Sequence, residues 1–168
     1  MLSVVNVRPF VAGDSARWNE FVFACPDATF FHRIEWQEIM RSVFRHRTHY
    51  LLAERDGRIV AVLPLVEVKS VLFGHAMTSL PFAVYGGVAG SDQEAVAALE
   101  AAADALAREA GVQHLEYRNL EERHPEWPRQ ELYVTFRKEI LPDEEANMAA
   151  IPRKQRAMVR KGIKNGLV

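Results

Sequence analysis

A phosphate-bearing ligand is best held where several backbone N–H groups and a helix N-terminus point at one place. The stretch Tyr85-Gly86-Gly87-Val88-Ala89-Gly90-Ser91 is where this sequence comes nearest to that arrangement. Asp92 and Glu94 follow at once. Carboxylates in a first helical turn satisfy the helix dipole themselves and repel a phosphate. The turn is therefore expected to be structural, with no cofactor bound by this domain. Six residues of residues 151–168 are basic and none is acidic: Arg153, Lys154, Arg156, Arg160, Lys161 and Lys164. On a helix, Arg153, Arg156, Arg160 and Lys164 share one face. Such a face can dock tRNA or another phosphate-bearing substrate, lie on an anionic membrane surface, or be the solvated helix between two domains.

Other reactive side chains suggest less. His46 and His49 straddle a helix end and a strand start, without a carboxylate at metal-ligand spacing, and His75, His114 and His124 read as surface or loop residues. No metal site is expected. The lone Cys25 precedes Pro26, and no Ser/His/Asp or Cys/His arrangement stands in a context that favours a nucleophile. Trp36 falls on the apolar face of its helix, a position that suits core packing and ligand contact alike. No catalytic residue emerges.

The elements that must position these residues follow from periodicity. Residues 3–8 alternate as a strand ending at Pro9, and Asp14 or Ser15 can cap a helix that carries Trp18, Phe21 and Val22 on one face. A second helix is predicted from Glu35 to Phe44. Two apolar runs, 49–54 and 58–66, flank Asp56-Gly57, which predicts a tight hairpin. Further strands are predicted within 70–80 and over 84–88, 112–118 and 132–140. A helix capped by Ser91, with Glu94 completing a capping box, ends at Gly111, and a short helix covers 143–150. The order implies an α/β (α+β) domain: a mixed, largely antiparallel sheet with helices on its faces.

The chain has 168 residues and a net charge of −1. Residues 1–150 hold 15 basic and 22 acidic side chains, so an acidic domain runs into a basic tail. The expected organisation is a domain over 1–150 and a basic inter-domain segment over 151–168. There is no signal-peptide pattern, no apolar run long enough to cross a bilayer, and a single cysteine, which together fit a cytoplasmic protein.

Three segments carry a resemblance. Phe30-Phe31-His32-Arg33-Ile34-Glu35-Trp36 resembles the aromatic–His/Gln–x–x–x–Trp start of the second helix in the FemAB family. Ser79-Leu80-Pro81-Phe82-Ala83-Val84-Tyr85-Gly86-Gly87 is similar to the SLPF–x–x–YGG signature of FemAB-like proteins found with bacterial exopolysaccharide and exosortase systems. Pro152 to Gly162 resembles the K–x–R–x–x–[IV]–R–K segment that opens the family's second domain.

The resemblance implies a pair of domains with the GNAT acetyltransferase fold, of which this chain is the first and the start of the second. It implies transfer of an acyl or aminoacyl group to an amine acceptor in cell-wall or exopolysaccharide biosynthesis. The donor would be acyl-CoA or aminoacyl-tRNA in the full-length enzyme, and the partners the second GNAT-like domain, a cell-wall or polysaccharide precursor, and tRNA. It further implies that Trp36, Pro81, Phe82, Tyr85, Gly86 and Gly87 line a substrate cleft and that Lys154, Arg156 and Arg160 face substrate. Met40 stands where classical members place a lysine, one turn after the tryptophan. The glycine turn also lacks the Q/R–x–x–G–x–G/A pattern of acetyltransferases that bind CoA. Two other readings stay open: a stand-alone acyl-CoA N-acyltransferase, and a nucleic-acid binding module.

Overall fold

A computed structural model of the chain describes residues 3–70, 72, 74–130 and 133–167. It divides into two compact units, Met1–Pro125 and Glu126–Val168. The first is built from β1 (Asn6–Pro9), α1 (Ser15–Ala24), α2 (Glu35–Ser42), β2 (Arg47–Arg55), β3 (Arg58–Ser70), β4 (Gly74–Ser79), α3 (Gln93–Ala110) and β5 (His114–Glu116). The five strands lie in the sheet in chain order, β1-β2-β3-β4-β5. All pairs are antiparallel except β4–β5, which is parallel and is joined through α3. A parallel pair needs such a crossover, and an antiparallel pair needs only a turn.

The turn between β2 and β3 is the two-residue kind. Asp56 and Gly57 both have positive φ, 51° and 71°, as a turn that matches the twist of its strands requires. A bulge at Ala53/Glu54 then shifts the register, so that Arg47 rather than residue 46 faces Glu67.

Alternation along the strands sends side chains to two cores. Leu51, Ala53, Ala61, Leu63, Leu65 and Met77 pack against α3, whose inner stripe is Ala95, Val96, Leu99, Ala103 and Ala107. Alanines on that stripe let the helix sit close to the sheet. The opposite face carries Tyr50, Leu52, Val62 and Val66, which meet Trp18 and Val22 of α1 and Met40 of α2. α3 ends where the sequence places its stop, at Gly111 with φ 64°.

Several boundaries differ from the sequence reading. α2 ends at Ser42 rather than at Phe44. The cap of α3 is Asp92, whose carboxylate accepts the Ala95 N–H at 3.1 Å, and not Ser91. With the cap at Asp92 the third helical position is Ala95, so no capping box forms, and Glu94 pairs with Arg55 at 2.7 Å instead. No strand forms over 84–88. Only a bridge joins Ala89 to Val62, since Gly86 and Gly87 turn instead towards the Arg118 carbonyl, at 3.0 and 3.1 Å. Pairing in β5 is confined to three residues.

The second unit contains α4 (Glu144–Ala149), capped by Asp143, and α5 (Arg153–Lys164). Residues 133–140 are not in a strand, which corrects the predicted strand over 132–140; Leu132 lies outside the described residues. Those residues are exposed and have no paired neighbour among the described strands. A strand of exposed apolar residues gains nothing without a partner edge.

Candidate functional site

Two of the three motif segments meet at one histidine. Thr29 caps a short 3-10 turn over Phe30–His32, its hydroxyl accepting the Phe31 N–H at 3.3 Å. The Thr29 N–H donates to His32 Nδ1 at 3.0 Å. Nδ1 is thus the acceptor and Nε2 carries the proton, which it donates to the Gly87 carbonyl at 2.9 Å. His32 is only 2% exposed, and burial pushes its pKa below the ordinary histidine value, against the raising effect of its bonds to Gly87 and Thr29. His32 therefore acts as a neutral clasp between the FFHRIEW and SLPFAVYGG segments. Protonation is favoured in the unfolded chain and not in the folded one, so His32 stabilises the fold above about pH 6.5 and that contribution is lost as pH falls below it. Urea unfolding midpoints of the wild-type chain should decline from pH 7.5 to pH 5.5, and those of His32→Phe should decline less. Parallel declines would remove His32 as the cause.

The second segment is pinned from the other side by Arg118. Its main-chain oxygen takes the Gly86 and Gly87 N–H groups, its N–H donates to Ser79 Oγ at 2.7 Å, and its guanidinium donates to the Ala83 carbonyl at 2.8 Å. A side chain on Gly86 would meet Leu80 Cβ at 2.6 Å, and one on Gly87 would meet Asn119 Oδ1 at 2.0 Å. Both glycines are explained by contact within the protein. Pro81 is buried, Tyr85 is half-buried, and Phe82 is 59% exposed. Trp36 packs elsewhere, half-buried against Phe30 and Phe31 with ring centroids 5.9 and 5.6 Å away.

Beside the His32–Gly87 clasp a cleft of about 360 Å³ opens at the N-terminus of α3, lined among others by Asp27, Ser91, Glu121, Glu122 and Arg123. Arg123 is held at the wall, 3.8 Å from Asp27, and donates to the Val88 carbonyl at 3.3 Å. The first turn of α3 is already occupied. Asp92 caps it, and Arg55 spans Asp92 at 3.0 Å and Glu94 at 2.7 Å. An incoming phosphate would face carboxylates where it needs free N–H groups. The cleft lining itself carries three carboxylates, Asp27, Glu121 and Glu122, against the one arginine, Arg123.

In the second unit, Arg156 donates to the Ala149 and Ile151 carbonyls, both at 2.9 Å, and so closes the end of α4. Lys154 and Arg160 are exposed.

A polar cluster on the α3 face of the sheet escapes the sequence reading, which leaves His75 at the surface or in a loop. Glu67 on β3, 7% exposed, meets His75 Nε2 at 2.8 Å, His49 Nε2 at 3.1 Å and Arg47 at 3.4 Å. Burial alone would raise the Glu67 carboxyl, but the bonds to His49 and His75 outweigh it and hold it low. Among the described residues no group of His, Cys, Asp and Glu side chains could hold a metal ion. No helix there is long and apolar enough to cross a membrane.

No protein-family model and no curated protein matches the chain. Solved structures do. A GNAT family acetyltransferase from Staphylococcus aureus superposes with a TM-score of 0.52 at 11% identity, over 83% of this chain and 100% of that one. An aminoglycoside 6′-N-acetyltransferase from Acinetobacter haemolyticus gives 0.53 at 16% identity, over 80% and 99%. The fold is that of the GNAT acetyltransferases. A transcriptional regulator from Bacillus halodurans superposes as well, with a TM-score of 0.52 at 13% identity over 82% and 100%. One fold thus serves proteins of different activity, and the fold alone fixes no chemistry.

Proposed function

We propose that this chain is the N-terminal, acceptor-side GNAT-like domain of a FemAB-like acyl or aminoacyl transferase acting on an amine acceptor in cell-wall or exopolysaccharide biosynthesis. The observation that carries this reading is the first turn of α3, which is spent on Asp92 and Glu94 and their Arg55 partner. A GNAT-like domain whose helix terminus is filled in this way is suited to acceptor binding, and the acid-lined cleft beside it suits an amine. The joining of the two motif segments at His32 and Gly87 supports the same reading.

In the reaction, the acceptor nitrogen attacks the acyl carbonyl. An amide bond forms, the thioester or ester bond to the donor breaks, and the amine proton leaves with a base or with the departing group. The acyl-CoA or aminoacyl-tRNA donor would be held by the second GNAT-like domain. Lys154 and Arg160 would face its phosphates, while Arg156 would fix the segment that carries them. Trp36, Pro81, Phe82, Tyr85, Gly86 and Gly87 would shape the acceptor side. Catalysis on this reading is positioning and exclusion of water.

The stand-alone acyl-CoA reading is favoured by one observation: the match covers 99–100% of the acetyltransferase chains. Amide hydrogen exchange separates the two readings. Acetyl-CoA is expected to leave exchange at Gln93–Val96 unchanged. Saturable slowing of those amides would overturn the acceptor-side reading in favour of the stand-alone enzyme.

A further inference from the structure

Phe44, His46 and Phe82 form a shelf of near-parallel rings outside both cores. Phe82 lies 4.4 Å from Phe44 at 16° and 5.8 Å from His46 at 12°, while Phe44 and His46 are 6.3 Å apart at 5°. Rings stacked on opposite faces of Phe82 would stand about 7 Å apart or more, twice the carbon contact distance. At 6.3 Å they do not sandwich it. One face of Phe82 is left for solvent, in keeping with its 59% exposure. Val43 and Val84 extend the exposed apolar surface.

The backbone that presents the shelf is strained. Among the described residues four non-glycines have positive φ, and three of them are Arg45 at 57°, Leu80 at 54° and Phe82 at 65°. The fourth, Asp56, belongs to the hairpin turn. Glycine would serve the bend at residue 82 with less strain. A phenylalanine there adds only what its ring does, and that ring is turned outward.

Charge narrows what the ring meets. Residues 39–53 contain Arg41, Arg45, Arg47, His46 and His49 and no acid; Glu67 already holds Arg47 and His49. Arg41 and Arg45 are exposed, and neither has a side-chain hydrogen bond or ion pair among the described residues. A flat apolar face bordered by donors fits a planar, acceptor-rich anion. It does not fit a neutral sugar, whose hydroxyls also need carboxylate or amide acceptors to grip them. We propose that this shelf is a nucleotide-binding site, with a base stacked on the outer face of Phe82 and the phosphates met by Arg45 and Arg41. The single open face sets the capacity at one base. This inference does not depend on the acyl-transfer reading.

The test is a titration of the full chain with ADP, followed by NMR of the aromatic side chains. Saturable shifts of the Phe44, His46 and Phe82 resonances are expected, with affinity that weakens as salt rises. Ribose 5-phosphate, which has the anion and no base, should bind roughly tenfold or more weakly. Phe82→Gly should lose binding by a similar factor while its melting temperature is kept or raised, because glycine relieves the positive φ. Arg45→Gln should weaken binding and flatten its salt dependence. The absence of saturable shifts in the millimolar range would overturn the site, as would equal affinity for ribose 5-phosphate or undiminished binding by Phe82→Gly.

Discussion

Trp18→Ala is expected to lower the unfolding free energy by about 3–5 kcal/mol. The indole is fully buried. It stacks on Tyr50 at 5.5 Å and meets Phe10 edge-on at 5.6 Å, so the truncation opens a large cavity between α1 and the sheet. The loss also reaches the candidate site, because Trp18 Nε1 donates to the His32 carbonyl at 2.7 Å. Without that bond the 3-10 turn loses one of its anchors, and the Thr29 amide should exchange faster. Trp18→Phe refills most of the volume without the donor and should cost about 1–3 kcal/mol, mainly for the orphaned carbonyl. Urea denaturation of both variants checks the pair. A Trp18→Ala loss below about 1 kcal/mol would show that the site collapses without a cavity.

Asp14→Ala is expected to cost about 3 kcal/mol, through charge rather than volume. The Asp14 carboxylate is 4% exposed and receives Arg8 Nη1 at 2.7 Å, Arg8 Nη2 at 2.8 Å and the Val11 N–H at 3.0 Å. Glu54 shares the same guanidinium groups, taking Arg8 at 2.9 Å and Arg17 at 2.7 Å, so removing Asp14 leaves Arg8 half-compensated rather than isolated. The hydrogen bonds from Arg8 hold the Asp14 carboxyl at about 2. Because the folded value lies below the unfolded one, the unfolded chain takes up the proton first as pH falls. The stabilisation is complete above about pH 4 to 5 and is lost on the way down to about pH 2. Urea midpoints measured from pH 5 down to pH 2.5 should fall steeply for the wild-type chain and less steeply for Asp14→Asn. Equal slopes would assign the acid sensitivity to other carboxylates.

The elements fixed by local rules could be read from the sequence. Asp56-Gly57 forces the hairpin, Gly111 stops α3, and the meander followed by a helix and a strand gives the mixed sheet. The FFHRIEW and SLPFAVYGG segments could be singled out as a pair, although nothing in either says that His32 joins them. That link depends on a contact across 55 residues. The Glu67 cluster was hidden by the bulge. Counting back from the tight turn places residue 46 opposite Glu67 and sends His49 to the other face. The extra residue, Val60 of β3 opposite Ala53/Glu54, reverses the parity and brings His49 and Glu67 together. The strand expected over 84–88 fails for a similar reason. Its alternation is real, but Arg118 captures the Gly86 and Gly87 amides that a ladder would need. The shelf was invisible because Phe44, His46 and Phe82 come from two separate loops.

The strand order has a consequence for timing. β2, β3 and β4 are successive hairpin neighbours, so their contacts close short loops and can form early. β1 joins β2 only after the chain of α1 and α2 has been spanned, and β5 joins β4 only after α3. The His32–Gly87 clasp closes a loop of its own across 55 residues, and the Arg118 grip on Gly86 and Gly87 needs the α3 crossover. The candidate site is therefore assembled at the end of folding rather than along the way. Any cellular condition that stalls the chain at its three-stranded meander leaves a partly folded protein with no site at all.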